Sequence, residues 1–252
     1  MYYTNRIKEI DELKKQIDKH RPLSKKELDK IKEYYRIGLT YSSNAIEGNS
    51  LTESETKIVI EEGLTIGGKP IKDHYEVLGH SEAYSLLYDL AKNKKIAEKD
   101  LLALHRLFYY RMDARQAGKY RKENVFIPGT PFIPPAHKQV PVLMKKFVLE
   151  IPRLKKKYHP VEFAALAHLK FVTIHPYVDG NGRTARLLMN LVLLQSGYVV
   201  TIIPPILRSD YISAIKKSQV QSKDEKPFIN FISAMVYESM QEYLRLLNAL
   251  GK

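Results

Sequence analysis

The chain is predicted to be all-α, a helical bundle with one small β-hairpin. Three observations lead there. Apolar residues recur at three- and four-residue spacing along most of its 252 residues. The breaks between those stretches carry residues that cap or stop helices. Only one short run, between Asn124 and Ala136, favours strand.

Ile7, Ile10, Leu13 and Ile17 form the first apolar stripe, ended by Arg21-Pro22. Ser24, with Glu27 three residues on, is a capping box for a second helix whose apolar face is Leu28, Ile31, Tyr35 and Leu39. Gly48-Asn49 is its expected stop. Thr52 and Glu55 repeat the box for a third helix, and Gly67-Gly68-Lys69-Pro70 turns the chain. Periodicity then predicts helices over 72–92, 98–111, 140–158, 160–174, 183–196, 209–221 and 227–247. In the exceptional stretch, Val125-Phe126-Ile127 and Phe132-Ile133 flank the turn residues Pro128-Gly129-Thr130, so the hairpin is placed there. Three regions are expected: an N-terminal helical region over 1–95, a core over 96–225, and a last helix over 226–252 packing on the core.

Bulk properties narrow the function classes. A hydrophobic fraction of 44% supplies a sizeable core and argues against disorder. The absence of cysteine excludes disulfides and thiolate metal sites. No charge-free apolar run reaches membrane-spanning length, and the stretch from Met1 to Glu9 lacks a signal peptide's apolar segment. No membrane partner and a cytoplasmic location are therefore expected. The net charge of +13 raises the question of nucleic acid. Yet Lys14-Lys15, Lys25-Lys26, Lys145-Lys146 and Lys155-Lys156-Lys157 are scattered, and some lysines have acidic neighbours at helical spacing, as Asp11 does for Lys15. Solvated helix faces explain this, so nucleic acid is not the expected partner; an acidic target protein is compatible. A basic helical DNA-binding regulator is the reading from another class. It needs Arg and Asn clustered on one exposed helix and gives Gly180 and Gly182 no purpose.

The chemistry is concentrated in His175-Pro176-Tyr177-Val178-Asp179-Gly180-Asn181-Gly182-Arg183-Thr184-Ala185-Arg186. Gly180 and Gly182 allow a tight turn and a close approach of backbone to ligand. The amides there, and the positive end of the helix that follows, favour an anion. Arg183 and Arg186 are forks suited to phosphate oxygens, and Asp179 is a hard oxygen ligand suited to Mg²⁺. His175 can accept a proton near neutral pH. Together they describe a nucleoside triphosphate site with a general base. His168, two helical turns before His175, is too far along the helix to share a metal and is read as structural.

These twelve residues resemble the signature of the Fic family, His-Pro-Phe-x-Asp-Gly-Asn-Gly-Arg-x-x-Arg, with Tyr177 in place of Phe. His159 to His168 is similar to the helix that precedes that signature, and Gly118-Lys119-Tyr120-Arg121 with Asn124 to Ile127 and Ile133-Pro134-Pro135 is similar to the family's flap. Ser43-Asn44-Ala45-Ile46-Glu47-Gly48 fits its inhibitory pattern, Ser/Thr-x-x-x-Glu-Gly/Asn. The resemblance implies a Fic-type bundle with the hairpin as a flap beside the active site. It implies transfer of AMP from ATP to a Ser, Thr or Tyr hydroxyl of a target protein, or of the chain itself, with Mg²⁺ or Mn²⁺ held through Asp179.

By the same resemblance His175 is the catalytic base, and Ile127, Asp179, Gly180, Asn181, Gly182, Arg183, Thr184, Arg186, Tyr211 and Gln219 bind ATP. Tyr211 is expected near the adenine; Gln219 stands where some members have Asn. Val125, Phe126 and Ile127 would dock the target segment through main-chain hydrogen bonds. Ser43, Glu47 and Gly48 are the inhibitory residues, with Glu47 pairing Arg186 within the same chain. Gly182 argues against the related Doc-type kinases, which carry lysine there. Removal of AMP, another NTP donor and a homodimer stay open.

Overall fold

Residues 3–93, 95–221 and 224–251 are described in a computed structural model, and among them there are ten α-helices and no strand. Met1 and Tyr2 of the N-terminal stretch lie outside the described residues. The helices are α1 (Ile7–Asp18), α2 (Lys25–Ile46), α3 (Glu53–Glu61), α4 (Ile71–Ala91) and α5 (Glu98–Tyr109), then α6 (Val140–Lys157), α7 (Pro160–Ile174), α8 (Asn181–Gln195), α9 (Arg208–Lys216) and α10 (Lys226–Ala249).

Local chemistry sets most of the boundaries. Ser24 with Glu27 and Thr52 with Glu55 form the two expected capping boxes. Two further caps escaped the sequence reading. Asp100 accepts the Ala97 N–H at 2.8 Å to start α5, and Glu162 accepts the His159 N–H at 3.2 Å to start α7. Both replace water at donors that have no intrahelical partner.

α7 and α8 form the centre. Nearly every residue of each is buried, including Arg183 and Arg186. A helix apolar on all sides must be wrapped by others. Here α4, α5, α6 and α10 do so; α1 lies on α10, and α2 runs along α4 until its C-terminal end meets α8. One core cluster extends from Ile10 to Leu247. A smaller one, Leu51 with Val59 and Val77, fastens α3 to α4. Among the described residues no helix is long and apolar enough to cross a membrane.

The hairpin is a correction. Residues 121–136 form an irregular loop with a turn at Pro128-Gly129. Pro128, Pro131, Pro134 and Pro135 lack the N–H a ladder needs. The carbonyls of Glu123 and Pro135 accept instead from the Arg121 guanidinium. Two boundaries also move. α8 starts at Asn181, two residues early, because Gly180 is its N-cap. The helix expected over 209–221 is α9 followed by a π-helical turn, Lys217–Gln221, within which Gln219 donates to Thr173 Oγ1 at 3.0 Å.

Buried histidines make stability depend on pH. Burial lowers His80 to about 3 and His105 to about 4, and lowers His168 well below its usual value. The unfolded chain binds protons at these groups below about pH 6.5, where the folded chain does not. Their contribution is thus complete above about 6.5 and is lost as pH falls toward 4. For His105 alone the loss is on the order of 2 kcal/mol at pH 5. The urea midpoint is expected to be clearly lower at pH 5 than at pH 7.5; equal midpoints contradict the neutral, buried assignment.

Candidate active site

The site begins where α7 ends. His175 is the one non-glycine residue with positive φ among the described residues, at φ 52° and ψ 61°. Its N–H still closes on Phe171 O at 3.0 Å, and Pro176 prevents another turn. That left-handed conformation costs roughly 1 kcal/mol or more in a residue with a Cβ. Arg121 holds it there: its Nε donates to His175 O at 2.8 Å and its backbone N–H to Pro176 O at 3.0 Å. The same guanidinium gathers the loop carbonyls named above, so one buried arginine ties the 122–136 loop to the base of the site. Sequence reading quoted Arg121 but gave it no role; its acceptors are main-chain oxygens, which leave no trace in composition.

Burial, reinforced by the Arg121 charge, holds the His175 imidazole at about 4 against the opposing pull of the Val172 carbonyl, Asp179 and Glu47. The ring is therefore neutral at physiological pH and able to take a proton. Its Nδ1 is buried without a partner in hydrogen-bonding geometry, although the Val172 carbonyl lies near enough to act on the ring's charge.

The loop after His175 is pinned from two sides. The Asn181 side chain accepts from Tyr177 N–H and donates to Tyr177 O, both at 2.9 Å. The His105 ring stacks on Tyr177 at 3.7 Å between centroids, 10° from parallel. His105 Nδ1 accepts from Gly118 N–H at 2.9 Å, which fixes the tautomer in which Nε2–H donates to Asp179 O at 3.1 Å. His105 was not singled out from sequence, where it reads as one more apolar-face residue of α5. Gly180, at φ 79°, has no room for a side chain: a Cβ would stand 2.6 Å from the Phe108 ring. Gly180→Ala is expected to destabilise the fold by about 2 kcal/mol or more in urea titrations, through strain and overpacking together. An unchanged midpoint contradicts this account of the loop.

α8 then presents its first-turn amides. The carboxylate of Glu47 lies against Gly182, and a Cβ there would collide with it. Glu47 is the C-cap of α2 and its Oε1 accepts from Arg186 Nη2 at 2.7 Å. Arg186 is fully engaged: Nε donates to Ser43 Oγ at 3.0 Å, Nη2 to Ser43 O at 2.8 Å, and Nη1 to the Tyr211 hydroxyl at 3.2 Å. Burial pushes the Glu47 carboxyl up, but its side chain keeps 35% of its surface in solvent, and the charges of Arg186, Arg183 and Arg208 outweigh that penalty. The carboxyl is held below its usual range and is ionised. Arg208 Nε also donates to Ile46 O at 2.6 Å, capping the end of α2.

Arg183 is held elsewhere. Its Nη1 donates to Glu76 Oε1 at 2.8 Å, and its guanidinium sits over the Phe108 ring at 4.1 Å. Asp179 is 3.5 Å from Arg183 Nη2, accepts the Gly180 N–H at 2.6 Å, and leaves 46% of its side chain exposed. Among the described residues no three His, Asp or Glu side chains gather as a metal cage. One open carboxylate at a phosphate-type loop fits a Mg²⁺ or Mn²⁺ ion that arrives on the triphosphate.

The other predicted residues fall in three places. Thr184 is fully buried in α8. Tyr211 is in the core, its hydroxyl between Arg186 and His168 Nε2 at 2.8 Å, so His168 is structural as expected. Val125 and Ile127 are half-buried and Phe126 is 83% exposed in the 122–136 loop. Gly48 follows Glu47 directly. Ser43, Glu47, Asp179, Gly182, Arg183 and Arg186 therefore converge around the first turn of α8, close to His175, while Gln219 reaches it only through Thr173, two residues before His175.

Residues 95–193 match the model of the Fic/DOC family. The protein adenylyltransferase Fic of Drosophila virilis is 38% identical over 206 residues, which are 81% of this chain and 42% of the relative. That of Drosophila melanogaster is also 38% identical, over 81% of this chain and 41% of its own length. The chain thus spans about two fifths of the curated relatives it matches. Among solved structures, Fic-1 (residues 134–508) from C. elegans superposes with a TM-score of 0.83 at 30% identity, covering 97% of this chain and 71% of that one. A Fic-domain-containing signaling protein from Bacteroides thetaiotaomicron gives a TM-score of 0.85 at 27% identity, with 95% and 97% covered.

Proposed function

From the premise that this chain belongs to the Fic/DOC family, we propose that it is a protein adenylyltransferase restrained by its own Glu47. The observation that carries the reading is the ion pair of Glu47 with Arg186 lying over Gly182, beside a neutral His175. An anion-binding helix end, a base and a competing carboxylate lie together at the start of α8.

In the reaction, a hydroxyl of a target protein attacks the α-phosphorus of ATP. His175 takes the hydroxyl proton, a new O–P bond forms, and the bond to the β-phosphate oxygen breaks so that diphosphate leaves. The α8 amides and the two arginines stabilise charge on the phosphates. A divalent cation on Asp179 would add neutralising charge there. Glu47 holds Arg186 off the γ-phosphate, so a productive triphosphate pose requires the end of α2 to move. Gln219 is assigned to the adenine side of the site, with Ile127 bordering it, while Tyr211 acts on the nucleotide from the core, through its hydrogen bond to Arg186. The 125–127 segment, with Phe126 exposed, is the docking strip for an extended segment bearing Ser, Thr or Tyr, from a target or from this chain. The division into 1–95, 96–225 and 226–252 is part of the same proposal; the family match over 95–193 falls almost wholly within the proposed core. A cytoplasmic location is part of the same proposal.

The test is self-labelling by ATP tagged on its α-phosphate, in Mg²⁺, with Glu47→Gly against the unmodified chain. Label in Glu47→Gly supports AMP transfer. Label from a γ-tagged donor alone replaces the reading with a kinase.

A further inference from the structure

The carboxylate of Glu76, on α4, joins the inhibitory segment to the anion loop. Its Oε1 takes Arg183 Nη1 at 2.8 Å and its Oε2 accepts from Asn49 Nδ2 at 3.0 Å. Glu76 and Arg183 are almost completely buried, which shields their contact from water. Asn49 stands two residues beyond Glu47, and its N–H closes on Asn44 O at 3.1 Å, which ties it to the last turn of α2. Asn44 touches the same pair, donating to Glu76 O at 3.5 Å and accepting from Arg183 Nη1 at 3.4 Å. Among the described residues the one other cation paired with Glu76, Lys72, is 3.7 Å away and largely solvated.

We propose that Glu76 is a positioning residue that sets Arg183 for the triphosphate and, through Asn49, makes that setting depend on where the end of α2 lies. The nucleotide half of this inference rests on the adenylyltransferase reading; the mechanical half does not. An ionised carboxylate has acceptor sites for both partners at once. When the last turn of α2 withdraws with Glu47, Glu76 loses its neutral partner and keeps the charged one. Release of Glu47 and the final placement of Arg183 become one event. A glutamate on a polar-looking stretch of α4, more than a hundred residues from Arg183, gives no sequence sign of this.

Amide hydrogen exchange at Glu47, Gly48 and Asn49 tests the mechanical half, since their N–H groups bond to Asn44 O, Ala45 O and Asn44 O. Asn49→Ala and Glu76→Ala are expected to speed exchange there roughly tenfold, with Leu166 and Leu188 in α7 and α8 unaffected. Glu76→Gln keeps an oxygen for Asn49 and should retain protection. In a Glu47→Gly background, Glu76→Gln should raise the ATP KM several-fold and move kcat less than about twofold, as expected for a contact made before and during reaction. Unchanged exchange in both alanine variants overturns the proposal. So does loss of protection spread evenly over α7 and α8, which would make Glu76 merely structural. An unmoved KM removes the Arg183 half. Absence of label in Glu47→Gly itself counts against the adenylyltransferase reading, while exchange still decides the coupling.

Discussion

Glu47→Gly is expected to raise α-phosphate labelling by roughly ten- to a hundredfold. The estimate follows from the contact it removes. A hydrogen bond between charged groups contributes about 1.5–3 kcal/mol, and about 1.4 kcal/mol is a factor of ten. The carboxylate both occupies Arg186 at 2.7 Å and crowds Gly182, so its loss clears the guanidinium and the helix end together. The buried Arg186 then keeps Ser43 and Tyr211 but has no counter-charge. The same substitution should therefore lower the urea midpoint, since an unpaired buried charge is costly. Activity up with stability down is the pattern of a released restraint. Labelling that does not rise rules out Glu47 as the inhibitor.

His175→Ala, added to Glu47→Gly, is expected to reduce labelling by about 10²- to 10⁴-fold, the usual weight of a positioned general base. Binding of a fluorescent ATP analogue should change little, because the phosphate ligands assigned above are the α8 amides and the two arginines. The position is left-handed, so His175→Asn, which tolerates that backbone better than Ala, serves as the control against misfolding. Because the ring is held at about 4 in the unmodified chain, and Glu47→Gly removes a charge that pulls it up, labelling by that variant should be nearly flat from pH 6 to 8 and fall only below about 4. A step near pH 6.5 contradicts the buried, neutral assignment. Retained labelling in both double variants assigns the base elsewhere.

What could be read in advance was local. Ser24 with Glu27, Thr52 with Glu55, and the run from His175 to Arg186 are decided by neighbours a few residues apart, and they appear in the structure where spacing puts them. The hairpin failed for an equally local reason, overlooked: four prolines remove more ladder donors than Val125, Phe126 and Ile127 can compensate in strand preference. The hidden part is made of long-range partners. Arg121 works through main-chain oxygens, His105 through a stacked ring and two backbone groups, and Glu76 through side chains from two other segments. Tyr211 shows the converse. Its hydroxyl is committed to Arg186 and His168, a placement that only the packing of α9 on the core reveals.

The pairing of Glu47 with Arg186 lies within a single polypeptide. An inhibitor on a separate molecule is diluted away, titrated by excess enzyme, or lost when its own synthesis stops. A tethered one is present at a fixed effective concentration whatever the abundance of the protein. On the proposed reading, the fraction of active copies would be independent of dosage: a thousandfold overproduction would yield a thousandfold more restrained enzyme at the same duty cycle.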